Sequence, residues 1–431
     1  MALAVVATCA LGTAVGPTVA SGAGAPAAPI GSHAAPAGTV ANAADVAPAA
    51  PAADVAPATP FGAGVPDRDA VDPVRAAIHP KRLAKMTLLG RTPAGSEPDG
   101  VATDPAISHD SRANRYVAYT STATSIATPV ERGRRNVYLV RRTGTVSMDA
   151  NAWEVGPTRL LSVGMGGVAA DGDSWGAALS GYTDRGDRPG KPRLYGFLSV
   201  ATNLVAGAPV GVPHAVIGNV DGGPLVRVPT PGAATGIAIA GDSSIVAVTT
   251  TRGLYVRRGG KVRRIVGGVV RSPSVTYNGR QIAYEKRGRI YVVTVADRKR
   301  REIARGTEPR ADNGAPTGGK VRGFIRAIAY RRGGEVLRAE IRGRRVLTRR
   351  YGAGVGTTLN AGGSAVAFGQ GQNVRLRVDL LNDGKHGGYK LPQGTCMDGT
   401  AVTGTAVSSR YNYIAFTCGG GALILQYVGP K

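Results

Sequence analysis

Residues 272–295 read SPSVTYNGRQIAYEKRGRIYVVTV, and this stretch decides the fold. Its centre is Ile282-Ala283-Tyr284, a bulky apolar residue, a very small one and an aromatic one. The dipeptide Asn278-Gly279 before it favours a tight hairpin, and Gly288-Arg289 after it marks a second turn. The alternating residues 290–295 and 301–304 follow. The stretch therefore predicts four short antiparallel strands in succession.

The same tripeptide pattern recurs along the chain at intervals that average about 50 residues, the length of a four-stranded propeller blade with long loops. Counting the first copy, there are seven. The others are Val117-Ala118-Tyr119, Tyr195-Gly196-Phe197, Val246-Ala247-Val248, Ile328-Ala329-Tyr330, Val366-Ala367-Phe368 and Ile414-Ala415-Phe416.

The small central residue has a physical reason. The second strand of a blade is covered by sheets on both faces, so one face needs bulk and the other must admit a neighbouring sheet closely. Alanine or glycine satisfies the second need. The repeats predict an all-β propeller of four-stranded blades, seven favoured and six as the alternative, because the fifth repeat is the least complete.

Closure of such a ring normally pairs strands from both ends of the chain. The residues just before the first repeat, Met86-Thr87-Leu88-Leu89, are the candidate partner for the last blade. The propeller is expected to occupy residues 86–431.

Three segments resemble a known family. Residues 105–126 (PAISHDSRANRYVAYTSTATSI), 170–175 (ADGDSW) and 193–205 (RLYGFLSVATNLV) are similar to repeats of TolB-like (WD40-like) propellers of secreted actinobacterial proteins. The resemblance extends over about residues 102–427. It implies a propeller fold and a general binding or scaffold role, because the repeat itself carries no chemistry.

The N-terminal region has a different composition. Residues 1–25 are apolar and rich in small residues, which indicates a signal peptide, although the usual basic start is missing. Residues 26–85 are mostly Ala, Pro, Val and Gly, which predicts a disordered linker. The apolar run is too short and glycine-rich for a membrane-spanning helix. We therefore expect a monomeric protein that is secreted or associated with the cell envelope.

Cysteine usage points to the same compartment. The chain has 3 cysteines, and Cys9 lies in the signal-like segment. Cys396 and Cys418 remain, and in an exported chain they would form a disulfide that clamps the last blade.

The charge is strongly positive, at +25. Such a charge favours polyanionic partners, although arginines that merely decorate solvated strands would give the same total. The basic clusters fall near the predicted hairpins between third and fourth strands, which share one rim of a propeller. The candidate polyanion-binding residues are Arg141, Arg142, Arg257, Arg258, Arg263, Arg264, Arg298, Lys299, Arg300, Arg301, Arg344 and Arg345, with Arg342 beside them.

Residues for metal or catalytic chemistry are few. Asp171-Gly172-Asp173 and Asp312-Asn313-Gly314 lack the spacing of a calcium loop, so turn chemistry is the better interpretation. Arg185-Gly186-Asp187 matches an integrin-binding triplet only by its three letters. His109, His214 and His386 are widely separated, and no G-x-S-x-G motif occurs. No metal, cofactor or catalytic residue is predicted.

The leading functional hypothesis is an exported, non-catalytic propeller that binds a protein or cell-wall polymer through one rim or its channel mouth. The alternatives are a hydrolase or lyase with carboxylates converging at the channel mouth, and a polyanion-binding protein that uses the basic rim.

Overall fold

A computed structural model describes residues 83–110, 114–126, 130–143, 153–181, 193–312, 314, 323–379, 388–390, 394–409 and 413–428. The predicted signal peptide, nearly all of the linker, Arg185-Gly186-Asp187, Asn313 and His386 lie outside these residues.

The strands form seven antiparallel sheets, numbered here as blades 1 to 7 in chain order. Strand β1 (Leu83–Leu88) comes first and belongs to the last blade. Blade 1 contains β2 (Ala102–Ile107), β3 (Tyr116–Ser121), β4 (Asn136–Thr143) and β5 (Glu154–Leu160). Blade 2 contains β6 (Ser174–Leu179), β7 (Leu194–Ser199), β8 (His214–Asn219) and β9 (Val226–Val228).

Blades 3 to 5 each contain four strands. Blade 3 contains β10 (Ala234–Ile239), β11 (Val246–Thr250), β12 (Gly253–Arg258) and β13 (Lys261–Gly267). Blade 4 contains β14 (Arg271–Val275), β15 (Gln281–Lys286), β16 (Arg289–Thr294) and β17 (Arg300–Arg305). Blade 5 contains β18 (Thr307–Ala311), β19 (Ala327–Arg332), β20 (Glu335–Arg342) and β21 (Arg345–Ala353).

The last two blades complete the ring. Blade 6 contains β22 (Val355–Leu359), β23 (Ala365–Gln370), β24 (Asn373–Asp379) and β25 (Gly388–Lys390), and β26 (Gly394–Thr395) also pairs with β24. Blade 7 contains β27 (Gly404–Val407), β28 (Tyr413–Cys418), β29 (Gly421–Val428) and, as its outer strand, β1. The predicted propeller of four-stranded blades is confirmed, with seven blades rather than six.

Ring closure follows the prediction. Strand β1 pairs antiparallel with β29 from Leu83 opposite Val428 to Leu88 opposite Leu423. It begins at Leu83, three residues before Met86, the predicted start of the propeller. The outer strand of the last blade therefore comes from the start of the propeller domain.

All seven small central residues lie in second strands, where they are buried. An added Cβ at Gly196 in blade 2 would lie 2.7 Å from Ile237 Cδ1 in the inner strand of blade 3. The neighbouring sheet therefore approaches as closely as the repeat predicted. The aromatic residue that follows fills the opposite side, and Phe197 and Tyr284 are 0% exposed. Burial of one such ring stabilises the fold by about 2–3 kcal/mol.

Blade 5 departs from the sequence interpretation. The fifth repeat is the least complete in sequence, and its inner strand Thr307–Ala311 lies ahead of a long connection to the second strand. The strand contains Glu308, Pro309 and Arg310, which hide the apolar alternation typical of a strand.

The antiparallel order gives the ring two distinct faces. The first face carries the connections between blades and the hairpins between second and third strands. The second face carries the turns between inner and second strands and the hairpins between third and outer strands. The inner strands surround the central channel.

Candidate functional site

Exposed cations concentrate on the second face of blades 3 to 5, at the hairpins between third and outer strands. We call this set the basic arc; it consists of Arg258, Lys261, Arg264, Arg298, Lys299, Arg300, Arg342, Arg344 and Arg345, all of them exposed. Two carboxylates neutralise it in part, since Asp297 pairs with Lys299 at 3.4 Å and Glu340 with Arg342 at 2.6 Å. The arc stays strongly positive.

Two arginines hold these hairpins next to one another. Arg263 in blade 3 donates to the carbonyl of Val295 in blade 4 at 2.9 Å. Arg301 in blade 4 donates to the carbonyls of Gly343 and Arg344 in blade 5, the latter at 2.7 Å. The basic arc is therefore continuous across three blades. It also means that Arg263 and Arg301, two of the predicted polyanion-binding residues, already use their guanidinium groups within the fold.

Arg159 makes the same connection between blades 1 and 2. It donates to the carbonyl of Val220 at 2.9 Å. Arg159, Arg263 and Arg301 occupy the same outer-strand position, because each pairs with the third-strand residue that lies opposite the small central residue. This role of arginine was not recognised from the sequence.

The remaining predicted cations have mixed surroundings. Arg142 is 3% exposed, and its guanidinium carbon lies 5.6 Å from the ring centre of Trp153 and 5.3 Å from that of Tyr413. Arg141 is exposed and Arg257 is half-buried. Arg142 therefore packs between blades 1 and 7 instead of lying on the rim.

The central channel has a repeated irregularity in its wall. Six inner strands contain a register shift near their first residues. In five of them a residue at the shift has positive φ: Asp104, Gly176, Ser272, Glu308 and Gly356. Such a bulge interrupts the regular alternation of side chains near the first-face end of these inner strands.

One channel position differs between blades. The inner-strand residues opposite the small central residues are Ala106, Ala178, Ala238, Ser274, Arg310, Thr358 and Ala406. Arg310 is the large and charged member of this set. It is exposed to solvent, and yet desolvation by the surrounding protein lowers its pKa, while Glu308 and Asp104 act in the opposite direction.

Backbone contacts and one aromatic ring narrow the second-face mouth. Gly181 donates to the carbonyl of Gly241 at 2.7 Å, which links blades 2 and 3. Tyr277 from blade 4 is 3% exposed and packs with Ala361 from blade 6, and an added Cβ on Gly241 would collide with its ring. The channel is therefore constricted at this end.

The described histidines do not converge. His109 lies at the second-face mouth, where desolvation lowers its pKa to about 4. His214 begins β8 on the first face, where desolvation lowers its pKa and its Nδ1 lies 3.2 Å from the carbonyl oxygen of Val212. The described turn residues beside His109, at the corresponding positions of other blades, are small or aromatic: Gly181, Gly241, Tyr277, Ala361 and Ser409.

Cys396 and Cys418 form a disulfide with a Cα–Cα distance of 5.8 Å. The carboxylate of Asp398 and the two sulfurs lie within 4.8 Å of one another, which is close enough for a metal site. However, the sulfurs are bonded to each other, and Asp398 accepts hydrogen bonds from Thr400 N at 3.0 Å and from the amide of Gly420. The group therefore fixes the connection into blade 7.

The aspartates of the first calcium candidate hold turns. Asp171 accepts a hydrogen bond from the amide of Thr202 at 2.7 Å and another from its hydroxyl. Asp173 accepts from Arg135 N at 3.0 Å and Nε at 2.9 Å. In the second candidate, Asp312 accepts from the amides of Arg326 and Ala327 at 2.9 and 3.0 Å. All three carboxylates thus accept hydrogen bonds from the protein.

Within the described ranges, no helix combines the length and apolar character needed to cross a membrane. Comparison with known proteins gives no family model and no curated protein that matches this chain. The function is therefore inferred from the fold, a seven-bladed propeller, and from the exposed cations of its basic arc.

Proposed function

We propose that this protein is an exported, non-catalytic binding module that holds a linear polyanion against the basic arc, in the cell envelope or outside the cell. The observation that carries this proposal is the continuity of the arc. Three consecutive hairpins present exposed cations, and Arg263 and Arg301 hold these hairpins together. A polymer with regularly spaced negative charges can contact all three at once, and multivalency raises its affinity.

The chemistry of the arc favours recognition of a polymer's negative charge over recognition of a nucleotide sequence. Its cations lie on flexible side chains, and few aromatic rings lie beside them in the sequence for stacking with bases. A teichoic-acid-like polymer of phosphates fits such a surface. The resemblance to TolB-like propellers supports a binding role in the same way, through a fold that carries no chemistry of its own.

Export is supported by two independent features. Residues 1–25 have the composition of a signal peptide, and disulfides persist mainly in oxidising compartments. A fusion of residues 1–85 to a reporter enzyme that is active only outside the cytosol should be active. A fusion protein that is produced but shows no reporter activity would rule out export by this segment.

Polyphosphate and heparin are the probes for the arc. We expect wild-type protein to bind both at physiological salt, with an affinity that falls as salt rises. Replacing Arg258, Lys299 and Arg344 with alanine removes one cation from each hairpin and should weaken binding by about tenfold or more.

A control of equal charge separates the arc from net charge. Arg91, Arg252 and Arg332 are exposed on the first face, and their triple alanine variant loses the same three charges. It should keep most of the affinity. Equal losses in both triple variants, or no measurable binding by the wild type, would contradict the proposal.

A further inference from the structure

Two cysteines and a carboxylate converge where the connection into blade 7 meets the hairpin between β28 and β29. The Sγ atoms of Cys396 and Cys418 and a carboxylate oxygen of Asp398 all lie within 4.8 Å of one another. Among the residues that the structure describes, no second group of histidine, cysteine and acidic side chains has this spacing. The cysteines are 3% and 1% exposed, whereas Asp398 is open to solvent. The sulfurs are therefore accessible from the side of the carboxylate.

Backbone hydrogen bonds hold both cysteines independently of the bond between their sulfurs. The amide of Cys396 donates to the carbonyl of Gln372 in blade 6 at 2.9 Å. Cys418 ends β28 and pairs with Gly421 of β29. The two Cα atoms are 5.8 Å apart. Reduction breaks the bond between the sulfurs but leaves these backbone contacts, so the two thiols stay next to one another.

The carboxylate of Asp398 is held in place beside the sulfurs. Its oxygens accept hydrogen bonds from the amide of Thr400 at 3.0 Å, from the amide of Gly420, and from the Thr400 hydroxyl, which lies 2.8 and 2.9 Å from the two oxygens. That hydroxyl in turn accepts from the amide of Gly419 at 2.7 Å. A carboxylate has about four acceptor positions, and these three donors leave one of them for a further partner.

The chemistry of the three groups favours one kind of ion. Thiolates prefer zinc and other soft metals, whereas calcium and magnesium take oxygen ligands. Zinc is tetrahedral with bonds of about 2.3 Å to sulfur, which places two sulfurs about 3.8 Å apart. The observed spacing accommodates this arrangement. The fourth position of the ion would point to solvent on the Asp398 side and hold a water molecule.

We propose that the reduced protein binds one Zn²⁺ through Cys396, Cys418 and Asp398 in place of the disulfide. A dithiol gives two electrons and two protons to the disulfide and becomes a disulfide itself, which leaves two thiols on the protein. Zinc then displaces both thiol protons and forms two bonds to sulfur and one to oxygen. Either link joins the same two segments, so blade 7 is clamped by zinc in a reducing compartment and by the disulfide in an oxidising one.

The test uses the full chain with Cys9→Ser, so that these two cysteines are the remaining thiols. The protein is reduced with a dithiol, freed of it without oxygen and titrated with Zn²⁺ by calorimetry. We expect one ion per chain. Titration with Cd²⁺ should produce the ultraviolet charge-transfer band of a thiolate–metal bond. The oxidised protein should show neither signal. Zinc should also raise the midpoint of thermal unfolding of the reduced protein, because it binds the folded state.

Two variants assign the ligands, and a third is their control. Cys396→Ser should weaken zinc binding by about a hundredfold or more, and Asp398→Asn by about tenfold or more. Asp398→Asn keeps both thiols, so it separates a carboxylate ligand from two thiols that bind zinc alone. Asp297→Asn removes an exposed carboxylate from the basic arc instead, and it should bind zinc as the parent protein does.

Several results would overturn the proposal. The site does not exist if the reduced parent protein takes up no zinc saturably, or if zinc leaves its unfolding midpoint unchanged. If the reduced chain unfolds without metal, zinc should restore its native circular dichroism, and failure to do so counts against the site. Equal zinc affinity of Asp398→Asn and the parent protein would show that Asp398 is not a ligand.

Discussion

Single carboxylates fix the loops of the first face. Asp99 accepts hydrogen bonds from the amide of Thr124 at 2.8 Å and from the amide and hydroxyl of Ser125 at 3.3 and 2.9 Å. Asp171 makes the same contacts to Thr202 and Asn203 in blade 2. Asp99 and Asp171 each lie shortly before the inner strand of a blade, and the residues that they bind follow the second strand of the same blade. Asp99 and Asp171 thus link the connection that enters a blade to the residues that follow its second strand.

Asp99→Asn should destabilise the protein. The amide loses one acceptor oxygen and the negative charge, and because Asp99 is exposed we expect a loss of only about 1 kcal/mol. Thermal unfolding at neutral pH measures it. Asp297→Asn, on the basic arc, is a control that removes a carboxylate from a different hairpin. A midpoint for Asp99→Asn that equals the wild type would show that the loop does not depend on the charge.

The difference in stability between the wild type and Asp99→Asn should also depend on pH. Hydrogen bonds from the side chains of Thr124 and Ser125 lower the pKa of Asp99 in the folded protein. A lowered pKa contributes stability above the unfolded value of about 4, and this contribution is lost as the pH falls below it. The difference in unfolding midpoint between wild type and Asp99→Asn should therefore shrink between about pH 5 and pH 3. A difference that grows with acidity would contradict this assignment.

At the level of strands, arginine connects neighbouring blades. Arg301→Ala removes the hydrogen bonds to the blade 5 hairpin, and we expect a loss of about 1–2 kcal/mol. Hydrogen exchange should become faster in residues 342–345 in particular. Arg258→Ala removes one exposed charge and serves as the matched control. Equal exchange in both variants would mean that Arg301 does not hold this hairpin.

The disulfide acts on one blade. It joins the connection into blade 7 to the end of β28, with the two cysteines 22 residues apart. Its removal in a Cys396→Ala/Cys418→Ala variant should cost on the order of 3 kcal/mol. Reduction of the wild type should lower the midpoint of thermal unfolding to the same value. Free thiols in protein recovered from outside the cell, detected by mass under non-reducing conditions, would refute the disulfide.

Strand-level features were the most predictable from sequence. The tripeptide around Ala283 defines a buried strand by local pattern alone, and the turn at Asn278-Gly279 fixes the hairpin before it. The inner strand of blade 5 was not predicted, because Glu308, Pro309 and Arg310 interrupt the apolar alternation. The position of Arg310 opposite Ala329 becomes visible only when the strands are aligned by their pairing.

The roles of individual arginines were not predictable. Arg263 and Arg264 are neighbours in sequence and both exposed, and yet Arg263 binds the next blade. Arg141 and Arg142 differ in the same way, because Arg142 is buried against Trp153. These differences depend on the angle between neighbouring blades and on side-chain rotamers, which a local pattern does not contain.

For the whole molecule, stability depends on strand β1. A variant that lacks residues 1–82 keeps β1, and we expect it to unfold at the wild-type temperature. A variant that lacks residues 1–88 leaves blade 7 with three strands and the edge of β29 open. It should unfold at a clearly lower temperature and aggregate, because an unpaired edge accepts strands from other molecules. Equal midpoints for the two truncations would show that β1 is dispensable.

The pairing of β1 with β29 also determines when the protein can finish folding. Leu83 leaves the ribosome long before Val428, its partner. Six sheets can form from local contacts during synthesis, but the seventh waits for the last segment to be made. Contacts between such distant parts of a chain form slowly. A nascent chain that stalls before β29 would therefore present two unpaired edges. Late translation is thus the stage at which the chain is most exposed to aggregation.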